Sequence, residues 1–100
     1  MPAHVSSPYF EARARLFGEK VRQRRHELGL TEMQLIERTG LSRGYIQLLL
    51  NSRGGHKDPA TGEYRLPNPT LDVVWLLAEA LEVEPAYLVD YNRQVESFDT

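Results

Sequence analysis

The stretch TEMQLIERTGLSRGYIQLLLNSR, residues 31–53, contains two short segments with helical patterning on either side of a glycine. Thr31 and Ser42 each precede one of these segments, and both residue types favour the N-cap position of a helix. Gly40 lies between the segments and can adopt the left-handed backbone conformation that ends a helix in a tight turn. The pattern therefore predicts two helices of about eight residues each, joined by the turn TGLS.

Three more helices are predicted around this pair. Ser7 and Pro8 favour the start of a first helix, which Gly29 ends. Thr70 caps a helix over LDVVWLLAEALEV, and Pro85 starts a last helical turn. The fold class predicted from these signals is all-α with five helices.

Apolar residues at helical spacing mark the side of each helix that faces the core. Gly18 lies inside the first helical pattern, so an interruption of that helix remains an open alternative. The residues predicted to face inward are Phe10, Ala14, Phe17, Val21 and Leu28 before the pair, Leu35, Ile36, Leu41, Ile46 and Leu49 within it, and Leu71, Val74, Leu77, Ala78 and Leu81 after it.

Length and composition are those of one small globular domain. The chain has 100 residues, of which 41% are hydrophobic and 26% are charged. We expect one domain over residues 1–90, with an insertion at 54–66 and a loosely held tail at 91–100. No apolar run approaches the roughly 18 residues that cross a bilayer, and no signal-peptide core is present. A cytoplasmic location is the simplest expectation.

The sequence contains few of the residue patterns that form catalytic or metal-binding sites. It has no cysteine, and His4, His26 and His56 are scattered without metal-ligand spacing. Neither the phosphate-binding pattern GxxxxGK nor the nucleophile pattern GxSxG occurs. We therefore expect a protein that is not an enzyme and that binds no metal or cofactor.

Charge is divided along the chain although the net charge is only −2. Residues 1–57 contain ten Lys and Arg against five Asp and Glu, which gives +5, whereas residues 58–100 contain two against nine, which gives −7. A polyanionic partner is therefore plausible for the first half, and solvated helix faces are the open alternative. Arg22 and Arg25 would serve phosphates or ion pairs with the acidic half.

Three blocks in order, FGEKVRQRR, then the pair with its turn, then PNPTLDVVWLLAEALEV, resemble the phage-repressor and Cro (XRE) type of helix-turn-helix. The resemblance covers roughly Phe17 to Leu88. It implies a five-helix, lambda-repressor-like DNA-binding domain with an N-terminal helical extension. It also implies sequence-specific binding of double-stranded DNA, with residues 42–50 in the major groove.

Carried over from the resemblance, the residues that read bases are Arg43, Gly44 and Gln47. Arg can pair bidentately with guanine, and Gln can do so with adenine. For Arg43, a contact with phosphate alone is the open alternative. Tyr45 and Asn51 are expected to contact phosphate. The open alternatives are a purely structural role for Tyr45 and a role in ending the helix for Asn51. The residues expected on the DNA backbone are Thr31, Gln34, Tyr45, Asn51, Arg53, Lys57 and Arg65.

Four positions depart from the family pattern. Glu32 stands where many members have a Gln that bonds phosphate, and a carboxylate there repels phosphate. Ile36 replaces a preferred Ala, which would shift the helix crossing angle. Leu48 and Leu50 replace residues that are commonly polar. The surplus apolar surface needs cover from the N-terminal extension, the insertion or a partner.

The segment GGHKDPATGEYRL, residues 54–66, intervenes where the family has a short loop. DPATG is a turn signal, so His56-Lys57 and Tyr64-Arg65 would pair as a small hairpin, or the segment would remain a loop. Its place after the second helix of the pair would bring its cations to the DNA backbone. A connector or a partner site is the alternative.

The resemblance implies a transcriptional regulator, specifically a repressor, that binds a palindromic operator as a homodimer with half-sites about 34 Å apart. The dimer contact would involve the helix after Thr70 and the turn at residues 85–90. A rival hypothesis is a protein-interaction module, such as an antitoxin or a transcription-machinery adaptor. Under the second hypothesis the aromatic residues Trp75, Tyr87, Tyr91 and Phe98 form a partner surface, whereas under the first Trp75 and Tyr87 are core or dimer residues.

Overall fold

A computed structural model describes residues 8–50, 56–57, 64–65 and 69–98, with side chains at 11–50 and 69–98. The predicted all-α fold with five helices is confirmed. The elements in order are α1 (Pro8–Glu27), α2 (Glu32–Thr39), α3 (Arg43–Leu50), β1 (His56–Lys57), β2 (Tyr64–Arg65), α4 (Leu71–Leu81) and α5 (Pro85–Val89).

The helix boundaries follow the predicted capping residues. The Thr31 hydroxyl accepts a hydrogen bond from the backbone N–H of Gln34, and Thr70 caps α4 in the same way. Gly40 ends α2 with φ of 73°, a left-handed conformation in which a side chain would be strained. Pro85 begins α5. The turn between α2 and α3 is therefore fixed by local sequence.

The first helix is continuous. α1 runs from Pro8 to Glu27 without a break, so the interruption considered at Gly18 does not occur. Gly18 lies buried inside the helix. Neighbouring apolar residues hold this helix against the others, because Phe17 and Val21 belong to the buried core.

The insertion contains the predicted small hairpin. β1 and β2 are antiparallel, with His56 opposite Arg65 and Lys57 opposite Tyr64. The hairpin follows α3 in the chain and precedes α4. The remainder of residues 54–66 lies outside the described residues.

One core unites all five helices, and most predicted inward residues belong to it. Leu71 is an exception, because its side chain is 75% exposed at the first turn of α4. Leu48 is buried and Leu50 packs against the core, so the surplus apolar surface of α3 is largely covered within one chain. The core residues are Phe17, Val21, Leu30, Leu35, Ile46, Leu49, Val74, Leu77, Ala78, Ala80, Leu81, Tyr87 and Leu88.

Two residues of the segment after α5 contact the rest of the domain. The Phe98 ring packs edge-on against Tyr87 with centroids 4.9 Å apart, and the Phe98 N–H donates to a Glu27 carboxylate oxygen at 3.1 Å. The Glu96 N–H donates to the Tyr87 hydroxyl at 2.8 Å. These contacts join Glu96 and Phe98 to the domain although their segment has no regular secondary structure, and the division into a domain over 1–90 and a tail over 91–100 stays a prediction.

Lys20 is a buried cation that joins α1 to the end of α5. Its ammonium donates to the carbonyls of Tyr87 at 2.7 Å and Asp90 at 2.8 Å, and lies 4.6 Å from the centre of the Tyr87 ring. Burial lowers the pKa of this ammonium, and the Asp90 carboxylate acts in the opposite direction. The hydrogen bonds offset the cost of burying the charge.

Acid is expected to loosen the segment after α5 through Glu27. Hydrogen bonds from Ser97, from the Phe98 N–H and from Arg24 hold the pKa of the Glu27 carboxyl below its ordinary value of 4.5. Because folding lowers its pKa, the ionised Glu27 carboxylate stabilises the folded state above pH 4.5. This stabilisation is lost as the pH falls through the pKa of Glu27 in the folded state. The melting temperature of Glu27→Gln should therefore fall less steeply than that of the unsubstituted protein as pH decreases below 4.5.

Thermal unfolding monitored by circular dichroism between about pH 6 and pH 3, in buffers of constant ionic strength, measures this difference. Glu37→Gln is the matched control, because Glu37 is exposed on α2. Parallel pH profiles for the unsubstituted protein and Glu27→Gln would contradict the assignment.

Candidate nucleic-acid interface

The second helix of the pair, α3, is buried on one side and exposed to solvent at its N-terminal end. Ile46 and Leu49 are fully buried on α3. Arg43 and Gly44, the first two residues of α3, are exposed. The Ser42 hydroxyl accepts a hydrogen bond from the Tyr45 N–H at 3.1 Å and so caps the helix. The turn and the core therefore present the first turn of α3 to solvent.

Arg43 is available for an external partner. Among the residues that the structure describes, its guanidinium has no hydrogen-bond or ion-pair partner. At Gly44, a methyl group in the Cβ position would meet nothing within 4 Å, so the fold itself does not require glycine there. The structure brings these two predicted base-reading residues together at one exposed end of α3.

Gln47, the third predicted base-reading residue, lies one turn further along α3. Its side-chain N–H donates to a carboxylate oxygen of Glu32 at 3.2 Å. Sequence reasoning assigned Glu32 only a repulsive effect on phosphate and missed this contact. No local signal reveals it, because the two residues are 15 positions apart and meet only when α2 and α3 pack.

Thr31 and Gln34, predicted on the DNA backbone, form a reciprocal capping box at the start of α2. The Gln34 side-chain oxygen accepts from the Thr31 N–H at 2.8 Å, and the Thr31 hydroxyl accepts from the Gln34 N–H at 3.0 Å. Both residues are exposed. Because these bonds use the side-chain oxygens as acceptors, the hydroxyl proton and the amide N–H₂ group are left as donors.

Tyr45 is directed into the protein. Its ring packs against the core, and its hydroxyl is buried without a hydrogen-bond partner among the described residues. Burial raises the pKa of this hydroxyl. A contact between Tyr45 and phosphate stays a prediction, and it requires the side chain to rotate outward.

The remaining predicted backbone contacts lie in or beside the insertion. Asn51 and Arg53 lie outside the described residues. Lys57 and Arg65 belong to the two strands of the hairpin, where the structure describes the backbone. Lys57 pairs with Tyr64 and Arg65 with His56, so the two cations lie on opposite strands at neighbouring register positions.

Several basic residues of the first half stabilise helix ends within the domain. Arg22 donates to the Leu49 carbonyl at 3.1 Å, near the C-terminus of α3. Arg25 donates to the Leu30 carbonyl at 2.7 Å. Both arginines, which were predicted to contact phosphates or carboxylates, therefore donate to backbone carbonyls within the domain. Arg24 and Arg38 donate to the carbonyls of Leu81 at 2.8 Å and Ala80 at 2.9 Å, respectively, at the end of α4.

Cations at helix C-termini complement the helix dipole and the carbonyls left without helical partners. Much of the +5 charge of residues 1–57 therefore has an intramolecular role. The overall charge division is weaker evidence for a polyanion than the position of Arg43 is.

An apolar surface is formed by α4 and α5. Leu71 is 75% exposed, Trp75 is 58% exposed and Val89 is 57% exposed. These three side chains line one groove together with Pro85 and Ala86. Trp75 is therefore not a core residue, whereas Tyr87 is buried in the core.

Two other kinds of site are absent from the part of the chain that the structure describes. No three His, Asp or Glu side chains lie close enough together there to hold a metal ion. None of the described helices combines the length and the apolar character that crossing a membrane requires.

The chain is similar to a solved structure, the high-resolution crystal structure of the restriction-modification controller protein C.AhdI from Aeromonas hydrophila. The sequences are 27% identical and the TM-score is 0.57, over 75% of this chain and 94% of the controller protein. Neither a family model nor a curated protein matches the chain. The likeness confirms the predicted resemblance to the repressor and Cro type of helix-turn-helix.

Proposed function

We propose that this protein is a sequence-specific double-stranded DNA-binding transcriptional regulator that places residues 42–50 in the major groove. The observation that carries the proposal is the exposed first turn of α3, with Arg43 at its start making no hydrogen bond or ion pair to any residue that the structure describes. A helix presented in this way by a preceding helix and a tight turn is the geometry that reads base edges. The likeness to a restriction-modification controller protein supports the regulatory role.

Arg43 and Gln47 would read bases, and Gly44 would let the base edges approach closely. Arg43 would pair with guanine O6 and N7, and Gln47 would pair with adenine N6 and N7. Gly44 supports close approach, because its missing side chain leaves space that the protein does not fill.

Contacts with the DNA backbone would fix the register of α3 in the groove. Thr31 and Gln34 support this role, because the capping box orients their free donors at the exposed N-terminus of α2. The other proposed backbone contacts are Tyr45, Asn51, Arg53, Lys57 and Arg65.

A homodimer through α4 and α5 would bring two copies of α3 to a palindromic operator. The exposed apolar surface of Leu71, Trp75 and Val89 supports this arrangement, because a second copy would remove it from water. Half-sites would then lie about 34 Å apart, one turn of DNA. A dimer bound over a promoter excludes polymerase sterically, and we propose repression on this ground.

The same apolar surface favours one alternative, a protein-interaction module such as an antitoxin or a transcription-machinery adaptor. Under that alternative, a different protein covers Trp75 and its neighbours. The two functions differ in their dependence on salt, since DNA binding releases counterions and weakens steeply as salt rises. Absent or salt-insensitive binding to every duplex would favour the interaction module.

Deletion of residues 55–65 tests whether the hairpin touches DNA. The deletion removes Lys57 and Arg65 from each monomer. If both contact phosphate, the slope of log affinity against log salt should decrease by about four for a dimer, about one for each lost contact. Fluorescence anisotropy with labelled duplex from about 50 to 200 mM salt measures this slope.

A matched variant, Lys57→Ala with Arg65→Ala, keeps the hairpin length and removes only the two cations. It should reproduce the loss of slope seen in the deletion. An unchanged affinity and slope in both variants would show that the hairpin does not contact DNA.

A further inference from the structure

The hydrogen bond between Glu32 and Gln47 has a consequence for base recognition. A carboxylate can only accept hydrogen bonds, so the amide N–H₂ group of Gln47, and not its oxygen, must face Glu32. Reversing the amide would place its oxygen against the carboxylate and lose the 3.2 Å hydrogen bond. Glu32 thus fixes the orientation of the Gln47 side-chain amide, with its nitrogen towards the carboxylate and its oxygen away from it.

The same bond occupies one of the two amide hydrogens. Gln47 is left with its oxygen as an acceptor and one N–H as a donor. Adenine presents one donor, N6–H₂, and one acceptor, N7, in the major groove, which matches this set. Guanine presents two acceptors, O6 and N7, so an amide would need both of its hydrogens free to satisfy them.

We propose that Glu32 is a specificity-determining residue that restricts Gln47 to adenine and excludes guanine. This proposal rests on the proposed function, because it needs Gln47 to reach a base. Glu32 acts through Gln47 and is therefore a positioning residue that need not touch the base itself.

Two features of the structure suit Glu32 to this role. Its position in the first turn of α2 places the carboxylate where the helix dipole stabilises a negative charge. Both Glu32 and Gln47 are partly buried, which strengthens a hydrogen bond relative to one in open solvent.

Glu32 also lies near the proposed path of the phosphates, and its charge repels them. Replacing Glu32 therefore changes affinity for all duplexes as well as base preference. The ratio of affinities for duplexes that differ only at the base read by Gln47 separates the two effects, since repulsion of the backbone is the same for both duplexes.

The experiment is selection of bound sequences from a library of random duplexes, carried out with the full chain and three variants. The variants are Glu32→Ala, Gln47→Ala and the matched control Glu37→Ala, which removes an exposed carboxylate from the same helix. Gln47→Ala identifies the position in the half-site that Gln47 reads. Affinities are then measured on duplexes carrying adenine or guanine at that position.

We expect the unsubstituted protein and Glu37→Ala to prefer adenine at this position, and Gln47→Ala to lose the preference. In Glu32→Ala the preference for adenine over guanine should fall on the order of tenfold, because both amide hydrogens become free. An unchanged preference in Glu32→Ala, or selection of guanine by the unsubstituted protein, would overturn the role of Glu32 while DNA binding stands. If the unsubstituted protein enriches no duplex, the proposed function fails and the role of Glu32 fails with it.

Discussion

Arg43→Ala is expected to abolish base preference at one position of each half-site while leaving the fold intact. Arg43 is exposed and makes no hydrogen bond or ion pair among the described residues, so its loss removes no contact on which the described structure depends. A bidentate pair between arginine and guanine is worth about 1–3 kcal/mol of discrimination. In a dimer bound to two half-sites the loss is doubled, to about 2–6 kcal/mol.

Competition binding with duplexes substituted at each position of the half-site measures the effect. Arg43→Lys is the matched control, because lysine keeps the charge but lacks the planar fork that pairs with guanine. We expect Arg43→Lys to keep the salt dependence of binding and to weaken base preference, because an ammonium donates to guanine without the geometry of the planar fork. An equal loss of affinity on all sequences for Arg43→Ala, with base preference kept by Arg43→Lys, would make Arg43 a phosphate contact instead.

Trp75→Glu is expected to separate the proposed dimer into monomers. Trp75 is 58% exposed and lines the groove between α4 and α5. A tryptophan buries about 150–250 Å² in an interface, and a carboxylate in its place would be buried in apolar surroundings. Each monomer would then bind its half-site alone, and affinity for the two-half-site duplex should fall by roughly 100-fold or more.

Sedimentation at micromolar concentration, with and without duplex DNA, measures the oligomeric state. Met33→Glu is the control for a general effect of an added charge, because Met33 is also an exposed apolar residue, 49% exposed, but lies on α2. It should leave the oligomeric state unchanged. An unsubstituted protein that remains monomeric both free and on DNA would contradict the dimer.

Features that depend on neighbouring residues in the sequence could be predicted. Thr31 and Thr70 cap helices through their own side chains, and Gly40 supplies a positive φ that few other residues adopt. The hairpin pairs in the register suggested by the turn signal between its strands. The exposed position of Arg43 follows from the same local rules, since it begins α3 directly after the Ser42 cap.

Features that depend on packing between distant segments could not be predicted. Arg22 reaches a carbonyl at the end of α3, 27 positions along the chain, and Phe98 contacts Glu27 across 71 positions. A charge count treats Arg22 as a free cation, because it contains no information on which helix end lies nearby. The irregular sequence after α5 likewise gives no sign that Phe98 contacts Glu27. Leu71 shares the helical spacing of core residues yet lies exposed, since periodicity does not show where the core ends.

Selection from random duplexes with the unsubstituted protein tests the central claim most directly. A dimeric reader of this kind should enrich an inverted repeat whose half-sites are centred about 10 base pairs apart, and binding to the enriched duplex should weaken steeply with salt. No enrichment of any sequence, together with absent or salt-insensitive binding to duplex DNA, would contradict the claim that this protein is a sequence-specific DNA-binding regulator.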